Sequence, residues 1–406
     1  MFNQQQSSKR LLTVAGLAWL FDAMDVGMLS FIIAALKPEW HLSEVQMGWI
    51  GSVSSIGMAV GAITFGILAD RYGRKDVLII TLLFFSVGTG LSALTTGYTL
   101  FLVLRFFVGA GLGGELPVAS TLVSENVPVA KRGRTVVLLE SFWAGGWLVA
   151  ALVSYFVIPT WGWRIALLGS ALTAFYALYL RYGLHESQAY VQRELGKRPA
   201  LGAAIADLWK KPYVKATLML WIVWFMVVFS YYGMFLWLPS VLVLKGFSMI
   251  NSFGYTLIMT LAQLPGYFVA AWLVEKLGRR WVLALFLLGT ALSALSFGNA
   301  TSLSVLLISG MLLSFFNLGA WGTLYAYSPE QYPLVIRGTG TGIAAGVGRI
   351  GGILGPIMVG SLIAKGVSFT VIFGIFCVAI IIAVLAILTL GQETMGQTLD
   401  TTVHNA

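Results

Sequence analysis

Apolar stretches, each near or above the ~20 residues that cross a bilayer, alternate with short polar turns along the whole of this 406-residue chain. They predict twelve helices, near 11–36, 46–68, 77–95, 99–123, 136–158, 164–182, 214–244, 252–274, 280–298, 303–325, 341–363 and 368–390. Gly and Pro fall inside several of them, which membrane helices tolerate when neighbours satisfy the freed backbone groups. The one long polar connection, 183–211, holds Lys197, Arg198, Pro199, Lys210 and Lys211 and is followed by Pro212. The expected organisation is a six-helix bundle over 1–182, a linker over 183–211, and a second six-helix bundle over 212–406 with a short tail.

The polar positions also repeat. Gly66-Ile67-Leu68-Ala69-Asp70-Arg71-Tyr72-Gly73-Arg74-Lys75 returns 205 residues later as Ala271-Trp272-Leu273-Val274-Glu275-Lys276-Leu277-Gly278-Arg279-Arg280. The same offset relates Glu125, Pro128, Arg132 and Gly133 to Glu330, Pro333, Arg337 and Gly338. An offset of half the chain means two similar halves, as in many secondary transporters. The fold class expected is all-α: twelve transmembrane helices in two pseudo-symmetric six-helix bundles.

Composition sharpens this picture. Hydrophobic residues make up 58% of the chain and charged residues 10%, against ~25% charged in soluble domains. Too few polar side chains exist to cover a water-facing surface. The first apolar segment is longer than a signal-peptide core and lacks a small-residue cleavage site, so it is expected to stay as the first span. The net charge of +9 follows from orientation and does not point to nucleic acid. With both termini in the cytoplasm, all but six of the 25 Lys and Arg fall on the cytoplasmic side. Lys37, Arg164, Lys245 and Lys365 fall outside, and Arg105 and Arg349 lie within helices. The lone Cys377 and the scattered His41, His185 and His404 form no metal-ligand set. No metal and no cofactor are expected. With no nucleophile–base pair either, enzymatic activity is not expected.

Each repeated turn joins two helices on the cytoplasmic side. Asp70 can accept hydrogen bonds at the start of the next helix, where the dipole favours an anion. Arg71, Arg74 and Lys75 can reach acids at neighbouring helix ends such as Glu125 or Glu186, contacts that would form in one conformation and break in another. Ordinary positive-inside charge is the plainer explanation of either turn alone. The fixed offset favours the specific one.

The first turn resembles the hallmark of the major facilitator superfamily, Gly-x-x-x-Asp-Arg-x-Gly-Arg-Lys between helices two and three. Glu125-x-x-Pro128-x-x-x-Arg132-Gly133, Leu184-His185-Glu186-Ser187 and Glu393-Thr394 resemble the cytoplasmic network of its sugar-porter and organic-ion branch, with His185 and Gln188 departing from the usual prolines. Phe21-Asp22-Ala23-Met24-Asp25 and Gly113-Gly114-Glu115-Leu116-Pro117 look like aromatic-acid and synaptic-vesicle-protein-like members. Over nearly its whole length the chain most resembles the bacterial niacin (nicotinate) permeases, above all around Glu140-Ser141-Phe142-Trp143, Ser230 to Trp237 and Phe316 to Trp321. Two glycine sets, Gly109-x-Gly111-x-x-Gly114 and Gly346-x-Gly348-x-x-Gly351, match a dinucleotide fingerprint. That motif needs a preceding strand, and inside apolar helices small residues serve close packing.

Charged residues inside apolar helices are the sharpest pointers to transport chemistry, since each costs ~2.5–3.5 kcal/mol on insertion scales. They are Asp22, Asp25, Arg105, Glu115, Glu140 and Arg349. In sugar porters an acid of helix one pairs with an arginine of helix four. That resemblance implies Asp22 or Asp25 as the proton-coupling acid with Arg105 as its switchable partner, a static salt bridge being the other explanation. Glu115 and Glu140 read as structural or gating groups, with Asp70, Arg71, Arg74, Glu125, Arg132, Glu186, Glu275, Arg279, Glu330, Arg337 and Glu393. Arg349, with glycines at 346, 348, 351 and 352, can hold a carboxylate by two parallel hydrogen bonds. Trp143, Tyr231, Tyr232 and Trp321 are candidates to stack on a flat ring. Asn317, four residues before Trp321 and so on its face, can bond a ring nitrogen, and Gln263 is a further polar candidate. Tyr231 and Tyr232, ~100° apart on a helix, cannot both face one point.

The expectation is a monomeric, proton-coupled importer of nicotinate or a similar small aromatic carboxylate, working by alternating access in a bacterial cytoplasmic (inner) membrane. Its partners are that substrate, protons and the bilayer. A carrier of benzoate-type acids or other small organic ions, or a transport-inactive receptor or sensor of the same fold, stays open on the same residues.

Overall fold

The computed structural model describes residues 8–72, 74–126, 132–182 and 201–395. Their regular structure is helical, with no strand among the described residues. Helices α1 (Ser8–Trp40), α2 (Glu44–Tyr72), α3 (Arg74–Ala93), α4 (Tyr98–Asn126), α5 (Arg132–Trp161) and α6 (Trp163–Tyr182) precede the linker. A short α7 (Leu201–Leu208) leads into α8 (Val214–Phe235), α9 (Leu238–Leu244), α10 (Met249–Leu261) and α11 (Gln263–Leu277). The chain continues through α12 (Arg279–Gly298), α13 (Leu303–Glu330), α14 (Leu334–Ala364) and α15 (Phe369–Leu390).

Among the described residues, nine segments are long and apolar enough to cross a membrane. The shorter apolar helices Ile79–Ala93, Tyr98–Gly113 and Trp163–Leu172 occupy the places of spans three, four and six. Together they account for the twelve spans. Large apolar side chains such as Ile63, Phe156 and Leu172 lie exposed on the helix surfaces, as a hydrocarbon solvent requires and water would penalise.

Two of the expected helices are broken. The span drawn over 214–244 stops at Phe235 and restarts at Leu238, and that over 252–274 stops at Leu261 and restarts at Gln263. Pro239 opens α9. Pro265 falls in the first turn of α11, so the carbonyl of Leu261 receives no helical N–H from it. Ser248, Ser302 and Ser368 cap α10, α13 and α15, their hydroxyls accepting from the backbone N–H of Asn251, Val305 and Val371.

The described chain gathers into two compact units. One comprises Met1–Ile32 with Val53–Gly196, the other Ile33–Ser52 with Lys197–Ala406. In the first, Gly109 and Gly113 of α4 lie against the backbone of α2 at Ser54 and Met58, and Gly111 against Thr81 of α3. In the second, Gly351 and Gly355 of α14 lie against the backbone of α8, a Cβ at either position falling 2.5 Å from the carbonyl of Phe225 or Phe229. The glycine sets that mimic a nucleotide fingerprint are thus largely packing surfaces. The α1–α2 corner joins the second unit by the same device. Gly48 meets the Pro356 carbonyl, Ser52 donates to the Ile353 carbonyl at 2.6 Å, and Lys37 pairs with Glu44 at 2.6 Å across the turn.

Candidate functional site

In the first unit, α1, α3 and α4 converge on a buried ion pair. Asp25 is fully buried and Arg105 is 1% exposed. The guanidinium holds the carboxylate in a fork, Nη1 to Oδ1 at 3.2 Å and Nη2 to Oδ2 at 2.5 Å. Thr89 donates a longer bond of 3.4 Å to Oδ1. Of the two acids that the sequence offers to Arg105, Asp25 is the one in this fork. Asp22, one helical turn earlier, is also buried. Trp19 and Trp143 stand 5.4 Å apart where α1 meets α5. Glu140 is buried one turn before Trp143. Two full charges taken out of water cost several kcal/mol each before their attraction is counted. The bidentate geometry is what makes such a pair tolerable.

In the second unit, α8, α13 and α14 supply a guanidinium beside a cluster of rings. Arg349 of α14 donates from Nη1 to the Tyr232 hydroxyl at 3.3 Å. Tyr231, the preceding residue, turns its ring to Trp321 at 4.7 Å and to Phe235 at 5.0 Å. The two tyrosines thus face different partners, as their ~100° separation demands. Trp224 and Tyr325 extend the cluster, 4.9 Å from each other and 6.3 and 5.9 Å from Trp321. The Trp224 indole N–H is taken by Ser328 at 2.9 Å. Sequence reasoning passed over Trp224, Phe235 and Tyr325. The signal was present: 224, 228, 231 and 235 form one stripe of α8, and Tyr325 follows Trp321 by four residues.

Asn317 and Gln263 are both fully buried. None of their four side-chain amide atoms has a hydrogen-bond partner among the described residues. Gln263 is the first residue after the break at Ala262. Trp143 belongs to the first unit, and the other ring-stacking candidates to the second.

The second copy of the charged turn forms a compact knot. Gly278 ends α11 at φ 91°, and the carboxylate of Glu393 caps α12 by accepting from the N–H groups of Arg279 and Arg280 at 2.9 and 3.0 Å. Arg279 pairs with Glu330 at 3.2 Å, to which Thr394 also donates. Arg280 donates to the last carbonyls of α15 at Ile387 and Leu388. By repeat logic Glu275 would stand at this helix start, the role that the sequence leads one to expect of Asp70 in the first turn. Instead Glu275 is exposed, and an acid from the chain's far end takes the N-terminus of α12. The side chains of Asp70, Arg71, Arg74, Glu115, Glu125, Arg132 and Arg337, and all of Glu186, lie outside the described residues. Among the described residues no His, Cys, Asp or Glu grouping forms a metal site.

Residues 15–264 and 253–401 match the model of the Major Facilitator Superfamily. The chain is 65% identical to the candidate niacin/nicotinamide transporter NiaP of Bacillus subtilis (strain 168), over 98% of this chain and 99% of that one. It is 48% identical to the niacin transporter NiaP of Acinetobacter baylyi, over 96% and 95%. Its fold matches the xylose transporter XylE from E. coli with a TM-score of 0.75 at 22% identity, over 97% of this chain and 98% of that one. A helical, multi-pass membrane protein whose relatives are named as transporters is not an enzyme. By a family match that runs almost end to end, this chain belongs to the Major Facilitator Superfamily.

Proposed function

We propose that this protein carries nicotinate, or a similarly small aromatic carboxylate, into a bacterial cell across its cytoplasmic (inner) membrane by alternating access coupled to proton movement. The observation that carries the reading is the Arg349–Tyr232 contact beside the Tyr231–Trp321 ring pair. A guanidinium recognises a carboxylate through two parallel hydrogen bonds, and ring faces favour a flat aromatic body. One ligand class presents both features. The names of the relatives at 65% and 48% identity both include niacin, a member of that class, the first alongside the neutral nicotinamide.

Proton coupling rests on Asp25. The Arg105 guanidinium holds the carboxylate in this conformation, and a conformation that withdraws it leaves the buried acid without that partner, the exchange to which proton movement is tied. The protein acts as a monomer with both termini in the cytoplasm, an orientation supported by the distribution of Lys and Arg.

The test is uptake of radiolabelled nicotinate into proteoliposomes, with and without an inward proton gradient. The expected result is accumulation against a gradient, lost in Asp25→Asn while equilibrative exchange persists. Undiminished accumulation in Asp25→Asn would remove Asp25 from the coupling role. Absence of nicotinate uptake by the unmodified chain would overturn the substrate reading.

A further inference from the structure

We infer that Ser328 and Trp224 are positioning residues for substrate binding: the hydrogen bond between them sets the spacing between the Tyr231–Trp321 ring pair and the Arg349 guanidinium. The inference rests on the nicotinate reading above and deepens it.

The first observation is the anchor. The Trp224 indole Nε1–H donates to Ser328 Oγ at 2.9 Å, and both residues are buried. Ser328 gives its own proton to the Leu324 carbonyl at 2.6 Å, one turn back in α13. A hydroxyl has one donor and two lone pairs, so that bond within the helix leaves the oxygen to accept from α8. Leaving a buried indole N–H without an acceptor costs free energy. The bond therefore holds the ring in one orientation.

The second observation is what the indole spans. Its Nε1 edge is bound to α13, and its Cε3 edge faces α14. A Cβ at Gly348 would lie 3.3 Å from Trp224 Cε3 and 3.1 Å from the Trp224 carbonyl. Gly348 immediately precedes Arg349. The planar indole thus stands as a strut between α13, which carries Trp321, and α14, which carries the guanidinium. It also meets Trp321 and Tyr325 edge-on, at 6.3 and 4.9 Å. Arg349 is held at two points, its tip by the Tyr232 hydroxyl and its helix by Trp224.

The third observation is an asymmetry of the repeat. The 205-residue offset relates Trp224 to Trp19, which is also buried, but it relates Ser328 to Val123. Each half has the tryptophan in its opening helix. Only the half that carries Arg349 has a hydroxyl at the place that anchors it.

The chemistry of the guest explains why the spacing matters. An aromatic carboxylate joins ring and anion by a single bond, so the two groups arrive at a fixed separation. Two parallel hydrogen bonds from a guanidinium are directional, and a binding constellation has to be held within about 0.5 Å to be productive. A strut between the ring-bearing helix and the arginine-bearing helix supplies that precision.

The experiment is equilibrium binding of radiolabelled nicotinate to the purified full chain in detergent, with melting temperature read on the same samples. The variants are Ser328→Ala, Trp224→Phe and their combination, and Arg349→Ala with and without Ser328→Ala. Each of the first two removes one end of the same bond and is expected to weaken nicotinate about fivefold. Their combination is expected to lose about fivefold as well, where independent effects would give about 25-fold. In the Arg349→Ala background, Ser328→Ala is expected to cost less than twofold, because no guanidinium is left to misplace. A merely structural bond would lower melting temperature and weaken nicotinate equally with or without Arg349, and that outcome overturns the inference. Additive losses, or unchanged affinity in Ser328→Ala, also overturn it. Should Ser328→Ala fail to fold, Trp224→Phe, which keeps a ring in place, decides by the same comparison with Arg349→Ala. Nicotinate binding with additive losses removes this inference alone. No nicotinate binding by the unmodified chain removes the substrate reading and this inference with it.

Discussion

Two arginines sit inside apolar helices of this chain, and their surroundings differ in kind. Arg105 grips Asp25 through both ends of its fork, deep in the first unit. Arg349, in the second unit, is part-buried and donates to the hydroxyl of Tyr232 beside a bank of aromatic rings. A carboxylate cancels a guanidinium's charge. A hydroxyl bond fixes a guanidinium's direction. In the proposed transport cycle the two cations have different work: the first belongs to the internal pair tied to proton movement, and the second meets the anionic guest.

The strongest way to break this comparison is to remove one side of the buried pair. Arg105→Ala leaves the Asp25 carboxylate buried without its fork, and a loss of about 3–5 kcal/mol of stability is expected in thermal unfolding in detergent. The double change Asp25→Asn with Arg105→Gln should recover most of that stability yet stay unable to accumulate substrate. Recovery of both would reduce the pair to a structural element.

Next in size is Arg349. Arg349→Ala should leave thermal stability nearly unchanged and weaken nicotinate by about 30-fold or more. Arg349→Lys keeps the charge, loses the planar fork, and should fall between. If Arg349→Ala instead unfolds the protein as Arg105→Ala does, the two arginines are alike and the contrast fails.

Tyr232→Phe sharpens the same point. Loss of one neutral hydroxyl should weaken nicotinate by about fivefold, read as a rise in half-saturation for uptake with maximal rate preserved. Smallest of all is Thr89→Val. Its bond to Asp25 is 3.4 Å long, so about 0.5 kcal/mol of stability is expected to go, visible as a small drop in melting temperature with nicotinate affinity unaltered.

The helices were legible because a bilayer demands them. Runs of apolar residues near 20 long have no other stable arrangement, and positions such as the outward-facing Leu172 need only a hydrocarbon solvent. The breaks were not legible. Pro38, Pro159 and Pro356 stand inside continuous helices, whereas Pro239 and Pro265 accompany interruptions. The residue is the same; neighbouring helices decide whether freed backbone groups are satisfied in place or the chain restarts. Of the candidate site residues, Arg349 stood out as a rare charge and Tyr231, Tyr232 and Trp321 through the resemblance to relatives; they fall in one unit, while Trp224 and Tyr325 hid among 14 Trp and 15 Tyr.

The repeat teaches a similar lesson. Its second copy predicts a charged turn between two helices, and α11 and α12 meet there at Gly278. It does not predict that Glu393, 118 residues beyond Glu275, supplies the capping carboxylate. Capping needs only an acid near the first N–H groups of a helix, and any segment that returns there can provide it.

By itself the sequence determined a twelve-span membrane protein of two related halves, with a few intramembrane charges as its chemical candidates, because burial in lipid constrains local composition residue by residue. Only the tertiary structure decided that Arg105 takes Asp25 in its fork, that Arg349 meets Tyr232, and that Glu393 caps α12. Those choices depend on distances between helices far apart in the chain, and a distance of a few ångströms is what separates a hydrogen bond from none.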